Sequence, residues 1–469
     1  MRVTRGMLLD IATGILLAAG LYECGLGLAQ LGGLAASGHT DYPATGTFYN
    51  PGPYCGFLGM LLPVALDRLM HGRGPGQWAA GVYVACAALL MPVLMGRTGW
   101  IAAGAGCLYV AVAAGRLRRW RRLWPVALVA VVAAGAAMFM LKPMSAMGRV
   151  LLWRTGLDAW MAHIWTGVGW DKVAGALGDA QEMYFATHPG SVYEACAGTP
   201  AYAFNEFLQV AIAYGAGALV LFVAAMVWAF VAARRGGGRG IAGSVLGFAV
   251  VCCSSYPLQF GEFIAAAGIM LVAATLSWRS VRPWGCVLVA VAVAAVAVPA
   301  VVAQQRREAD GAMWRRARFA YMYRLSERDL QYLDSVSGRL GHSAEFLFDY
   351  GKALRDNGLY GESCEVLARG VERSSDPMFL NLMGRNMEDM GRSGDAARYY
   401  RRAANRVPGR MYPRYLLAML YASPQYRDSA AFMKYYRQAM EAEPKVMSPA
   451  IAQMRAELEA RRREVEDGR

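Results

Sequence analysis

The sequence has little charge. Of its 469 residues, 17% are charged and 56% are hydrophobic, whereas a soluble domain usually has about 25% charged residues. The shortage is confined to residues 1–303, which consist of long apolar runs, while residues 304–469 are rich in Arg, Glu and Asp. This split excludes a single soluble domain and predicts a membrane-embedded part followed by a part in water.

The sequence also lacks metal-binding and nucleic-acid-binding patterns. Its nine cysteines include no CxxC pair, so neither a zinc site nor a disulfide scaffold is indicated. Cys196 and Cys364 fall in predicted water-exposed segments, where they either pair or remain thiols. The net charge is +14, but the arginines cluster between apolar runs, which indicates membrane topology and no nucleic-acid partner. Nothing in the sequence requires a metal or another cofactor.

Apolar runs of about 20 residues, the length that crosses a membrane as a helix, recur throughout residues 1–303. The first has a basic start, and because more runs follow it we interpret it as a membrane helix rather than a cleaved signal peptide. The predicted fold class is therefore all-α, a polytopic membrane protein with about nine spans. They lie at about 7–31, 51–67, 77–95, 99–115, 124–142, 205–232, 240–257, 260–277 and 284–303.

Arginine alternates between the segments that link these spans. Linkers 32–50 and 258–259 contain no Lys or Arg, and 96–98 contains one. Because basic linkers stay in the cytoplasm, the pattern predicts a cytoplasmic N-terminus, with loop 143–204 and residues 304–469 on the opposite side of the membrane. The basic clusters are Arg2 and Arg5; Arg68 and Arg73; Arg116, Arg118, Arg119, Arg121 and Arg122; Arg234, Arg235 and Arg239; and Arg279 and Arg282.

Loop 143–204 is long enough to have a function of its own, because long connections in compact proteins are usually functional. Its start predicts an amphipathic helix that ends at a glycine turn, 167–169. One face of that helix is expected to carry Leu152, Leu157, Trp160 and Met161.

Seven short stretches of residues 44–277 combine glycine, aromatic and polar residues in a recognisable order. They are Phe48 to Pro53; Gly96 to Trp100; Gly148, Arg149, Leu152 and Trp153; Gly167 to Gly169; Gln181, Tyr184 and Phe185; Phe204 to Leu208 with Gly215; and Ser255 to Leu258. In this order they resemble motifs of the O-antigen ligase and polymerase family. The resemblance implies an all-α domain over 1–303 in the bacterial inner membrane, with the loop and the tail in the periplasm. It also implies a part in lipopolysaccharide or other cell-envelope glycan synthesis, in a Bacteroidetes-type branch with a C-terminal repeat domain.

The chain departs from the family pattern in two ways. Family ligases often carry His immediately before the Asn of the closing motif, where this chain has Phe204. The usual candidate for assisting the acceptor hydroxyl is therefore missing. The chain also begins late, so one to three N-terminal spans of relatives are expected to be absent.

The resemblance implies glycan transfer from undecaprenyl diphosphate to an acceptor hydroxyl. Arg97 and Arg149 are the predicted catalytic cations, because a guanidinium group binds phosphate oxygens in pairs and keeps its proton. Arg97 lies at the outer end of a span, where charge is costly; alternatively it reaches lipid headgroups. Arg149 alternatively is a charge on a helix surface. Arg154 is a predicted substrate-binding residue.

Glu206 is the predicted catalytic base in place of the missing His, or alternatively a charge that favours a helix N-terminus. Asn205 binds substrate, caps that helix, or does both. Gln181 and Tyr184 are predicted to contact sugars, or alternatively to pack the loop. His188 is a further predicted substrate-binding residue; like His163 it has no partner motif, and a structural role is the alternative.

Residues 343–444 repeat with a period of about 34 residues and resemble tetratricopeptide repeats. Leu347, Gly351 and Leu354 align with Leu380, Gly384 and Met387, and further units continue to Pro408 and Pro444. Domain 304–469 is therefore expected to be a helical solenoid. It either offers a concave surface to a protein partner or stabilises the loop as a cap.

The favoured function is a metal-independent glycosyl transfer at the periplasmic face, with lipid A core, another glycan or a protein as the acceptor. Ligation, polymerisation and protein glycosylation stay open as alternatives. The rival is a non-enzymatic membrane scaffold whose repeats recruit glycan-assembly partners. A transporter is a weaker option, because the spans contain few charges.

Overall fold

A computed structural model describes residues 4–72, 74–115, 143–321, 326–442 and 448–466. The predicted span 124–142, the basic cluster between Arg116 and Arg122, and Pro444 lie outside these residues. Every regular element within the described ranges is a helix, which confirms the all-α class. The α-helices are α1 (Arg5–Leu31), α2 (Pro51–His71), α3 (Pro75–Leu94), α4 (Arg97–Ala113), α5 (Pro143–Ala162), α6 (Val173–Thr187), α7 (Glu206–Arg235), α8 (Arg239–Ser254), α9 (Gly261–Ser277), α10 (Pro283–Ala317), α11 (Glu327–Leu340), α12 (Ala344–Asp356), α13 (Tyr360–Val371), α14 (Met378–Asp389), α15 (Ser393–Arg406), α16 (Met411–Ala422), α17 (Ser429–Met440) and α18 (Pro449–Glu466).

The described residues form two compact units. The first comprises the residues up to 115 together with 204–210 and 216–306, and the second comprises 143–203, 211–215 and the residues from 307 onward. Four helices, α1, α3, α7 and α10, are long and apolar enough to cross a membrane, while α8 and α9 are apolar but shorter. These helices indicate a membrane protein. The number of about nine spans and the division at residue 303 stay predictions.

Glycines allow α2, α4 and α8 to pack closely in the first unit. A Cβ atom on Gly59 would lie 2.2 Å from the Gly99 carbonyl oxygen, and one on Gly106 would lie 2.5 Å from the Gly243 carbonyl oxygen. Helices in lipid gain little from the hydrophobic effect, so close backbone approach supplies much of their contact. Since Gly99 belongs to the first turn of α4, this packing also fixes the backbone next to Arg97.

The tail helices of the second unit pack in successive pairs, α12 with α13, α14 with α15, and α16 with α17. The repeated glycines lie where the helices of a pair touch. A Cβ atom on Gly351 would lie 2.6 Å from a Leu367 side-chain carbon, and one on Gly384 would lie 2.3 Å from the Tyr400 ring. A larger residue would push each pair apart, which explains the glycine in the repeat. The tetratricopeptide identity stays a prediction.

Helix α6 of the loop packs against α15 of the tail within the second unit. Two glycines of α6 also allow it to approach the 372–375 segment that follows α13. A Cβ atom on Gly175 would lie 2.1 Å from the Glu372 carbonyl oxygen, and one on Gly178 would lie 2.8 Å from the Ser375 Cα atom. The loop and the tail therefore form one folded body.

The face predicted for the loop helix is confirmed for Leu152, which is buried, and wrong for Leu157 and Met161. Leu151, Thr155 and Ala159 of α5 are buried, whereas Leu157 and Met161 are 47% and 61% exposed. Helix α5 packs against α6, and its buried face combines Leu151 and Leu152 with the small residues Thr155, Gly156 and Ala159. The Thr155 hydroxyl donates to the Leu151 carbonyl oxygen at 3.1 Å, which removes the cost of burying it.

Candidate functional site

Two of the sequence stretches that resemble family motifs meet where the loop joins α7. The helix is interrupted at Gly215, whose φ is 80° and ψ −177°, a conformation that is essentially restricted to glycine. The Val168 amide donates to the Ile212 carbonyl oxygen and the Gly169 amide to the Ala213 carbonyl oxygen, both at 2.9 Å. Because the helix breaks at Gly215, these carbonyls are available to the loop, and the glycine turn is tied to the start of α7.

The same junction leaves no room for a side chain at position 215. A Cβ atom on Gly215 would lie 2.2 Å from the Trp165 carbonyl oxygen. The Trp170 and Tyr214 rings stack nearby, with centroids 5.9 Å apart and planes inclined by 16°. The junction is therefore closely packed on both sides of the turn.

A row of aromatic rings in the first unit connects the stretch that begins at Phe204 with two more of these stretches. The Phe48 ring is 5.3 Å from Phe260, Phe260 is 5.7 Å from Tyr256, and Tyr256 is 5.0 Å from Phe204, measured between centroids. Phe204 has a φ of 49°, which residues other than glycine rarely adopt. The residue that replaces the family His is thus held by ring packing in an unusual backbone conformation.

Asn205 and Glu206 follow directly and begin α7. The Asn205 Oδ1 atom accepts from the Leu208 amide at 3.1 Å, so its capping role is confirmed, and substrate binding stays a prediction. The Glu206 side chain is fully buried. Its Oε2 atom accepts from the Leu258 amide at 3.4 Å, and Oε1 has no hydrogen-bond partner among the described residues. A buried carboxyl oxygen of this kind is suited to accept a proton.

Arg97 is the first residue of α4 and is half-buried. The residue before it, Gly96, has no side chain that could cap this helix. The dipole of a helix favours an anion near its N-terminus. Thr98 is held by a hydroxyl contact to Ser254 at 2.8 Å. A cationic side chain at a helix N-terminus makes Arg97 a candidate for holding a phosphate group.

A cavity of about 740 Å³ lies in the second unit between α5, the 163–172 turn and α6. This volume falls within the range of roughly 300–1,000 Å³ of small-ligand sites. Its lining mixes hydrogen-bond donors and acceptors, which suits the hydroxyls of a sugar better than it suits a polyanion. The polar residues are Arg154, Asp158, His163, Lys172, Asp179, Thr187, His188 and Glu372.

Gln181 and Tyr184 are both buried, which fits the alternative that they pack the loop, and sugar binding by either stays a prediction. Tyr184 is 7% exposed; the Arg154 guanidinium lies 4.9 Å from its ring centroid, and the His188 ring stacks on it at 4.6 Å. The cavity thus offers Arg154 and His188, and the Tyr184 ring supports them. Gln181 is 2% exposed, and its Nε2 atom donates to the carbonyl oxygens of Gly198 at 2.9 Å and Arg406 at 2.5 Å. Its amide therefore joins the loop to the tail.

Comparison with known families gives one result that covers these residues. Residues 82–223 match the O-Antigen ligase family. No curated protein matches the chain. The match covers under a third of the 469 residues, but it includes Arg97, the whole loop and the start of α7. It therefore supports an O-antigen ligase domain and a role in polysaccharide assembly.

The loop half of this ligase-like segment contains functional candidates that the sequence analysis missed. Lys172 lines the cavity and forms an ion pair with Glu372 at 2.9 Å. Asp158 lies on α5, one turn from Arg154, and also lines the cavity. Asp158 could have been found from the sequence, because it is four residues from Arg154 and residues with that spacing share a helix face. Lys172 could not, because its partner Glu372 is 200 residues away.

Proposed function

We propose that the protein transfers a glycan from a polyprenyl-diphosphate carrier to an acceptor hydroxyl. The family match over residues 82–223 carries the proposal. The apolar helices support a membrane location, and we propose the bacterial inner membrane, with the loop and the tail in the periplasm. Undecaprenyl diphosphate is the proposed carrier.

In the proposed reaction, the acceptor oxygen attacks the anomeric carbon and the bond from that carbon to the diphosphate oxygen breaks. The diphosphate leaves with the bonding electrons, and cations stabilise it as charge develops. We assign this role to Arg97, where the dipole of α4 also favours an anion, and, as a separate candidate, to Arg149, which is half-buried on α5. Neither the attack on the anomeric carbon nor the departure of the diphosphate requires a metal.

The acceptor proton needs a base, and we propose Glu206. The unpartnered, buried Oε1 atom supports this choice. Asn205 holds the first turn of α7 in place beside it. General bases typically contribute about 10²- to 10⁴-fold to a rate, so loss of this carboxylate is expected to be severe without being absolute.

The cavity in the second unit is the proposed sugar site. Arg154 and His188 present donors, and Asp158 presents an acceptor. A hydroxyl-rich ligand can satisfy both kinds of group, which a phosphate cannot.

A surface-glycan gel of a deletion strain tests the function. Loss of a polymerase leaves glycans of one repeat, whereas loss of a ligase leaves full-length glycan on the lipid carrier. We expect complementation to fail with Arg97→Ala or Arg149→Ala at normal protein level. An unchanged glycan pattern in both variants would refute the enzyme and favour the scaffold.

A further inference from the structure

A second and larger cavity lies in the second unit, between the 189–199 segment of the loop and helices α14 to α18 of the tail. Its volume is about 1,830 Å³, which exceeds the roughly 1,000 Å³ upper range of single small-ligand sites. We call it the tail groove. It has room for several units of a polymer.

Half-buried tyrosines line the tail groove. Tyr412 and Tyr415 lie nearly parallel, with centroids 6.2 Å apart and planes inclined by 16°. Tyr435, from the next helix, also lines it. Tyrosine combines a rigid apolar ring with a polar hydroxyl. Such rings suit the apolar face of a sugar, and the hydroxyl suits its edge.

Charges of both signs stand beside these rings. Arg385 and Arg414 line the groove together with Glu194 and Glu388. Burial raises the pKa of the Glu388 carboxyl, and burial lowers the pKa of Arg414. Charged groups that are partly removed from water need hydrogen-bond partners, the arginines an acceptor and the carboxylates a donor. A neutral ligand that both donates and accepts hydrogen bonds can satisfy both kinds of group. A polyhydroxyl chain has this property, whereas an aliphatic peptide segment does not.

The end of α6 separates the tail groove from the proposed sugar site. Tyr184 and His188, four residues apart, line the smaller cavity, while Phe185 and Pro189, also four residues apart, line the groove. Tyr184 and Phe185 are neighbours on α6 and therefore face about 100° apart, while His188 is the C-terminal cap of the helix and Pro189 follows the cap. One ligand that passes over this end of α6 would contact both cavities.

We propose that the tail groove binds an extended glycan chain whose end occupies the smaller cavity. This identification rests on the proposed function for the nature of the polymer. The chain belongs either to the donor or to the acceptor, and both present the same sugars. The tail is then a substrate-binding part of the protein.

Binding to the full-length protein in detergent tests the proposal. The probe is polysaccharide released by mild acid from the surface glycan of the host strain, separated into single-repeat and long fragments. Long fragments should bind more tightly than single repeats. Tyr412→Ala should weaken long-fragment binding about tenfold, the change expected if roughly 50 Å² of ring surface no longer leaves water. Tyr412→Phe keeps the ring and should bind within threefold of wild type.

Tyr332→Ala is the matched control, because Tyr332 is 46% exposed and does not line the groove. It should not change binding. Equal affinity for short and long fragments, or equal binding by Tyr412→Ala and wild type, would overturn the proposal. Binding of extended peptides in place of polysaccharide, lost in Tyr412→Ala, would also overturn it and make the groove a protein-partner site.

A transfer assay with lipid-linked glycan separates this proposal from the proposed function. If transfer depends on Arg97 but polysaccharide binding is unchanged in Tyr412→Ala, the tail-groove proposal is refuted and the proposed function stands. Polysaccharide binding that depends on Tyr412, without any transfer by the wild type, refutes the enzyme and leaves the groove as a glycan-binding site. Loading either the donor or the acceptor with the long chain then shows which of the two occupies the groove.

Discussion

Replacing Arg406 with leucine should loosen the joint between α6 and α15. The Arg406 side chain is fully buried, its Nη2 atom bonds Asp179 and lies 3.1 Å from Glu182 Oε2, and its Nη1 atom donates to the Ser374 carbonyl oxygen at 3.2 Å. Hydrogen bonds to charged groups contribute about 1.5–3 kcal/mol each. Arg402 still holds Glu182 at 2.6 Å, which limits the damage to about 3 kcal/mol.

Hydrogen exchange followed by mass spectrometry on the full chain in detergent measures this change locally. A loss of about 3 kcal/mol corresponds to exchange roughly a hundredfold faster for amides of α6 and α15. Arg392→Leu is the matched control at the start of α15, because its pair with Asp395 has an exposed arginine side chain. Exposed pairs contribute about 0–1 kcal/mol, so a small change is expected. Equal exchange in the Arg406 variant and wild type would refute the proposed joint.

Further substitutions test the packing and the chemistry. Gly175→Ala should place a methyl group against the backbone of the tail and reduce folded yield. Gly361→Ala, whose new methyl group meets nothing within 4 Å, should stabilise its helix by about 0.5–1 kcal/mol. Thermal unfolding of the two variants compares these effects. Gly215→Ala should disrupt the junction at the start of α7, while Gly217→Ala, with open space around it, should express normally. Glu206→Gln should fold but lose about 10²-fold or more of transfer; a rate within threefold of wild type would remove Glu206 as the base.

The sequence predicted the helical class and the stretches that build the junctions. The turn at Gly169 and the glycine at Gly215 were recognised separately, and the structure joins them by backbone hydrogen bonds. Glycine at both positions is informative because few other residues adopt such backbone angles. Local chemistry of this kind can be recognised in a sequence.

Contacts between distant segments could not be predicted in this way. Gln181 contacts Arg406 over a separation of 225 residues, and no local pattern links them. The buried face of α5 was partly misjudged for the same reason, because its partner is α6 and the fit depends on small residues such as Ala159. Apolar periodicity identifies a helix but does not say which neighbour covers it.

Transfer by the purified protein tests the central claim most directly. The full chain, reconstituted in lipid with a polyprenyl-diphosphate-linked glycan and an acceptor, should yield glycosylated acceptor and free polyprenyl diphosphate in equal amounts. Arg97→Ala should lower the rate at least about a hundredfold, the typical effect of removing one group that stabilises developing charge. Intact lipid-linked donor after incubation with folded wild-type protein, for every acceptor class, would contradict the account.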